Sequence, residues 1–187
     1  FIIIPVSVTS IGGHAFSGCG SLTSIVVAEG NPMYDSRNDC NALIETSSNA
    51  LLLGCATTSI PESVISIGSN AFRRCSGLTS ITIPEGVTSI GYQAFYECSS
   101  LTSITIPMSV ISIGSNAFGG TAWYKNQPDG VAYLCNVLYG YKGTMPEKTS
   151  VKIRKGTVSI SSEAFKDCSG LTSIVIPKSV TSIGHSA

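Results

Sequence analysis

The chain repeats itself every 23 residues. The run Val64-Ile-Ser-Ile-Gly-Ser-Asn-Ala-Phe restarts at Val87 and again at Val110, and the same phase returns at Val8, Thr157 and Val180. Between Val8 and Val64, and between Val110 and Thr157, the spacing is not a whole number of periods. Enlarged units are therefore expected at about 31–63 and 119–156, giving about eight units in 187 residues. A short unit of this kind cannot bury its apolar face alone and must stack on its neighbours, so the period constrains the chain to a solenoid.

Within one unit, Leu78-Thr-Ser-Ile-Thr-Ile-Pro84 alternates apolar and hydroxyl residues. That period of two, rich in β-branched side chains, predicts a short strand. Pro84 lacks the N–H that a ladder needs and should end it. The equivalent strands are expected at 22–27, 78–83, 101–106 and 171–176. Val87 and Ile90 form a second inward pair, and Gly91 allows the turn after them. Ala94-Phe95 followed by Cys98 predicts a tight turn or single helical turn that closes the coil. Phe16, Phe72, Phe95, Phe118 and Phe165 share one repeat position, which predicts a stacked phenylalanine spine. The small alanine before each leaves room for the next coil.

Composition narrows the function. Lys plus Arg and Asp plus Glu number 11 each, for a net charge of zero, and only 12% of residues are charged. A neutral chain offers no electrostatic footprint for nucleic acid and no polybasic patch for a membrane surface. No apolar run is long enough to cross a bilayer, and no signal peptide is visible. Both ends fall within a repeat, so a longer array is expected.

The pattern Leu-Thr-Ser-Ile-Thr-Ile-Pro-x-x-Val-Thr-Ser-Ile-Gly-x-x-Ala-Phe-x-x-Cys resembles the BspA-type leucine-rich repeat of bacterial and protist surface proteins. Tyr34 to Thr46 and Trp123 to Gly130 resemble enlarged variants of that repeat. The resemblance implies a right-handed leucine-rich-repeat solenoid, a β/α superhelix with a short parallel sheet on one face and turns or short helical turns on the other. It also implies a secreted or cell-surface, often adhesive, module with no catalytic residues and no cofactor.

Candidate chemistry is sparse. Cys19, Cys75, Cys98 and Cys168 share one repeat position; their spacing fits no zinc motif, so a buried ladder of reduced thiols is expected. Cys40 and Cys55 flank a hairpin expected across Ala42–Thr46 and Ala50–Leu53, and their pairing is left open. Asp35, Asp39, Asn41 and Glu45 lie close together, but Arg37 and Cys40 stand where a calcium loop would need an acid and a glycine. His14 and His185 read as surface residues. Eight Lys or Arg against four Asp or Glu follow residue 124, among them Lys152, Arg154 and Lys155, which read as a solvated face.

Two functional classes follow. In the first, the chain recognises a protein or glycan. Contacts would come from the outward strand positions Ser80, Thr82, Ser103, Thr105, Ser173 and Val175, and from the aromatic residues Trp123, Tyr124, Tyr139 and Tyr141 of a second hairpin around Cys135-Asn136. Trp and Tyr are favoured interface anchors, although the same four could simply pack that hairpin onto the stack. In the second class, the chain is a structural spacer with no ligand of its own.

Overall fold

A computed structural model of the chain describes residues 1–187 except Gly13, His14 and Ser17. The backbone winds as a β-solenoid, and each regular coil contributes three hydrogen-bonded segments. The first is the outward hydroxyl strand, seen at Ile25–Val27, Ser80–Thr82, Ser103–Thr105 and Leu171–Val175. Parallel partners are Ile2–Ile4 with Ile25–Val27, Ser80–Thr82 with Ser103–Thr105, and Thr149–Lys152 with Leu171–Val175. These strands are shorter than the sequence pattern predicts. At their ends Leu78 and Leu101 turn fully into the core and Pro84 and Pro107 are buried, so the ladder keeps only the alternating centre.

The second segment is the Ser-Ile pair. Ser66, Ser89 and Ser112 stand in register, as do Ile67, Ile90 and Ile113. Ser159–Ile160 and Ser182–Ile183 repeat the arrangement later in the chain. Glycine follows most of these pairs because the coils approach closely there: a Cβ on Gly114 would lie 2.5 Å from the Tyr92 nitrogen and 2.7 Å from the Gly91 carbonyl carbon.

The third segment is the Ala-Phe turn, which is not helical. Asn70, Phe72 and Arg74 donate their N–H groups to the carbonyls of Tyr92, Ala94 and Tyr96, and Gln93, Phe95 and Glu97 donate to those of Ser115, Ala117 and Gly119. All six bonds run from an earlier coil to a later one. The geometry requires positive φ at Asn70 (61°), Arg74 (61°), Gln93 (51°), Glu97 (58°) and Asn116 (54°). A side chain in that region costs roughly 1 kcal/mol, and the inter-coil bonds hold it there.

Inside, Phe72, Phe95 and Phe118 stack with ring centroids 4.9 and 5.1 Å apart and interplanar angles of 11° and 6°. That is the rung spacing of a β-ladder. The spine does not extend through all five phenylalanines: Phe16 packs with the N-terminal cluster and Phe165 with the C-terminal one.

The interruptions are the two enlarged units. Ala42–Glu45 and Ala50–Gly54 form an antiparallel hairpin across a four-residue turn, and its second strand joins the ladder of Ser66–Ile67. Gly130–Leu134 and Val137–Lys142 form the other, turning at Cys135-Asn136, and its second strand pairs in parallel with Ser159–Ile160. Both hairpins therefore continue the wall. In each, the returning strand runs straight on where a regular coil would make its Ala-Phe turn, so no phenylalanine can occupy the spine at that level.

The thiol ladder is likewise partial. Cys75 and Cys98 are buried, at 2% and 0% exposure, whereas Cys19 is exposed and Cys168 half-buried, because the flanking coils do not cover them. Cys40 and Cys55 are buried but unlinked, and they face different clusters on the two sides of the hairpin.

Candidate functional site

The outward wall is where the alternation placed it. Ser80, Thr82, Ser103, Thr105, Ser173 and Val175 are all exposed. Their hydroxyls partly satisfy one another: Ser150 and Ser173 hydroxyls lie 2.6 Å apart, and the Thr102 and Thr172 hydroxyls donate to carbonyls one coil back. Such a lattice is flat and nearly uncharged.

The aromatic group is brought together, but mostly inward. Trp123 sits on the short helix Ala122–Lys125, which is capped by the Thr121 hydroxyl accepting from the Tyr124 N–H. It meets the edge of Phe118 at 5.8 Å, and Tyr124 meets Tyr139 at 5.5 Å, nearly perpendicular. Trp123, Tyr124 and Tyr141 are half-buried. Tyr139 is only 7% exposed, and its hydroxyl accepts the Phe118 N–H at 2.9 Å. That hydroxyl stands in for the carbonyl of the missing turn, and burial raises the phenol's pKa well above its ordinary value. Tyr139 therefore closes the end of the phenylalanine spine, and its hydroxyl is not available as an outward anchor.

More accessible anchors lie on the turn face. Arg73 stacks over the Tyr96 ring at 5.5 Å, Arg74 Nε donates to Glu97 Oε2 at 2.6 Å across the coil boundary, and Tyr92 is 47% exposed. These residues sit at the variable places just before and after the Ala-Phe pair. Reading neighbouring repeats as columns, so that Arg73 stands above Tyr96, would have found them.

Each enlarged unit also leaves a slot on this face. The first has Leu52 and Leu53 as its floor, with Gly12, Ala15 and Phe16 on one side and Gly68, Ser69 and Asn70 on the other. The second has Tyr139, Gly140 and Tyr141 as floor, between Ser115 and Asn116 of the coil before and Ser162, Glu163, Lys166 and Asp167 of the coil after. The two are built alike: the Gly54 N–H donates to the Ala71 carbonyl, and the Tyr141 N–H to that of Ala164. Their linings differ, one apolar and one polar. In the polar slot the Ser115 hydroxyl donates to Glu163 Oε2 at 2.6 Å, and Lys166 lies 3.5 Å from Glu163 Oε1. The serine hydroxyl, followed by the lysine charge, holds the Glu163 carboxyl below its ordinary pKa.

Other candidates have local partners. Asp35 grips Arg37 through two bonds, to Nε at 2.7 Å and Nη2 at 2.5 Å, and Glu45 accepts from Ser48. Arg154 lies 4.3 Å over the Tyr133 ring. His185 is exposed, and His14 lies outside the described residues. Among the described residues no group of three His, Cys, Asp or Glu converges as metal ligands, and no helix is long and apolar enough to cross a membrane.

Comparison with known proteins agrees with this geometry. The chain covers 98% of itself and 44% of the pneumococcal vaccine antigen PcpA, at 22% identity and a TM-score of 0.60. A leucine-rich cell surface protein of Faecalibacterium prausnitzii A2-165 is 28% identical over 100% of this chain and 48% of that one, at a TM-score of 0.58. A leucine-rich repeat protein of Eubacterium ventriosum ATCC 27560 is 24% identical over 97% and 56%, at a TM-score of 0.57. The chain thus spans about half the length of these structures. No curated protein matches it. The BspA type leucine-rich repeat region matches in six copies, over residues 1–37, 50–126 and 140–187, so the chain belongs to the BspA-type leucine-rich repeat family.

Proposed function

We propose that the chain is a non-catalytic recognition module of a secreted or cell-surface protein, engaging a protein or glycan partner. The observation that carries this is the turn face, where Arg73, Arg74, Tyr92 and Tyr96 stand exposed or half-buried on a backbone fixed by two consecutive sets of inter-coil bonds. Tyr and Arg are the residue types that dominate interface energetics, and a rigid scaffold limits the ordering cost of binding. The strand wall of Ser80, Thr82, Ser103, Thr105 and Ser173 adds area without anchors, which favours weak contacts multiplied along an array. Kinship with a protein named as a cell surface protein supports the location.

The test is capture of extracellular-matrix proteins and glycans by the intact chain, repeated with Tyr92→Ala plus Tyr96→Ala and with Trp123→Ala plus Tyr124→Ala. Loss of about 2 kcal/mol of binding in the first pair is expected. Equal binding by wild type and the first pair would refute the turn-face site. Absence of any partner for the intact chain would leave the spacer role standing.

A further inference from the structure

The polar slot over Tyr139–Tyr141 is a broken rung of the turn ladder. In the two preceding coils, the N–H groups equivalent to that of Asn116 belong to Asn70 and Gln93, and they donate to Tyr92 and Ser115 carbonyls. Opposite Asn116 no backbone carbonyl accepts, among the described residues, because the Val137–Lys142 strand passes below. Across the slot, the Ser162 carbonyl occupies the place of the Tyr92 and Ser115 carbonyls and, among the described residues, receives no such donor. One wall therefore presents a backbone donor and the other a backbone acceptor. Gly140 keeps the floor low between them, leaving a cavity of about 280 Å³.

The side chains extend this two-sided character. Asn116 Nδ2 donates to the Ser115 hydroxyl at 3.3 Å, and that serine, 8% exposed, in turn donates to Glu163. Glu163 is matched by Lys166, and the exposed Asp167 leaves the lining one carboxylate in excess, which disfavours an anionic ligand. Tyr139 lies under the slot with its hydroxyl turned inward to the Phe118 N–H, so it supplies floor and no polar contact. Tyr124 and Tyr141 add further phenol rings to the lining. A hydroxyl group both donates and accepts, so a ring carrying several hydroxyls can face both walls at once. A group with only donors or only acceptors cannot. The Ser115–Glu163 bridge spans the slot, which disfavours an extended peptide running through it.

We propose that this slot binds one unit of a neutral, polyhydroxylated sugar, as the specificity-determining subsite of the recognition module argued above, on which this inference rests. The twin at Leu52–Leu53, built on the same topology, has Ser69 and Asn70 where Ser162 and Glu163 stand and is otherwise mostly apolar, so it serves as an internal comparison.

The intact chain is titrated by saturation-transfer NMR with neutral hexose and N-acetylhexosamine oligosaccharides, and in parallel arms with anionic glycans and short peptides. Transfer to neutral sugars is expected, weakened about tenfold by Glu163→Gln, which removes a charge-assisted bond. Tyr141→Phe should weaken it less, and Met108→Ala, exposed and outside the slot, should leave it unchanged. No transfer to neutral sugars, or transfer that survives both slot variants, would overturn the proposal. So would competition for the slot by peptides or anionic glycans alone. If sugars fail but a protein partner still binds through the turn face, the slot inference falls and the recognition reading stands.

Discussion

Replacing Phe95 with alanine tests the spine directly. Phe95 is fully buried, with Phe72 4.9 Å to one side and Phe118 5.1 Å to the other. Truncating a buried phenylalanine costs about 3–5 kcal/mol, depending on how far the site can collapse. Here collapse is restricted, because Phe72 and Phe95 donate their N–H groups to the next coil at 2.7 Å and so fix the coil spacing. Both stacked pairs are lost as well, each contributing about 0.5–1.5 kcal/mol. The expected loss is therefore at the upper end, about 5 kcal/mol. Phe165, 9% exposed and unstacked among the described residues, should cost about 3 kcal/mol on the same change. Urea denaturation of both variants followed by circular dichroism measures the difference. A Phe95→Ala loss under about 2 kcal/mol, or one no larger than that of Phe165→Ala, would refute the stacked-spine account.

Burial pushes the Cys75 thiol up to about 11 and the Cys98 thiol up to about 12, so both should resist maleimide at pH 8 until the chain is denatured, while Cys19 labels at once; mass spectrometry of the labelled peptides decides, and rapid native labelling of Cys98 would count against the burial shown. Tyr139→Phe leaves the Phe118 N–H without its acceptor and should destabilise by about 1–3 kcal/mol in the same urea assay; a neutral result would mean the hydroxyl is not the substitute carbonyl described. Gly114→Ala drives a methyl into the backbone of the preceding coil and should destabilise by about 3 kcal/mol, the upper end of the overpacking range; an unchanged midpoint would contradict the coil spacing.

The period in the sequence was enough to specify stacking, because a 23-residue unit has no other place to hide Ile81, Ile90 and Phe95. Alternation of serine and threonine with isoleucine told which positions of the Ser80–Thr82 strand face outward. It could not tell how far each strand extends, since burial of Leu78 and Pro84 is a property of the closed coil. Nor could it show that the spine stops at Phe118. That outcome depends on where the returning strand of a hairpin enters the ladder, which is set by register across 22 residues between Val137 and Ser159. The same register turned Tyr139 from an apparent surface anchor into an interior one. Arg73 and Tyr96 carried no motif of their own, and become a pair only when consecutive coils are laid on each other.

The break at the second hairpin bears on how the molecule would yield to tension. Rungs between coils lie along the stacking direction, so a pull applied along it loads them one level at a time rather than all together. Among the described residues, the Ser112–Ile113 strand ends its sheet and the Val137–Lys142 strand belongs to another, with no ladder bond between them. Extension should begin at that joint, then proceed by releasing single coils, each adding roughly 75 Å of slack as its residues straighten. A chain held in a flowing medium would thus lengthen in steps while the stacked segment around Phe95 stayed closed.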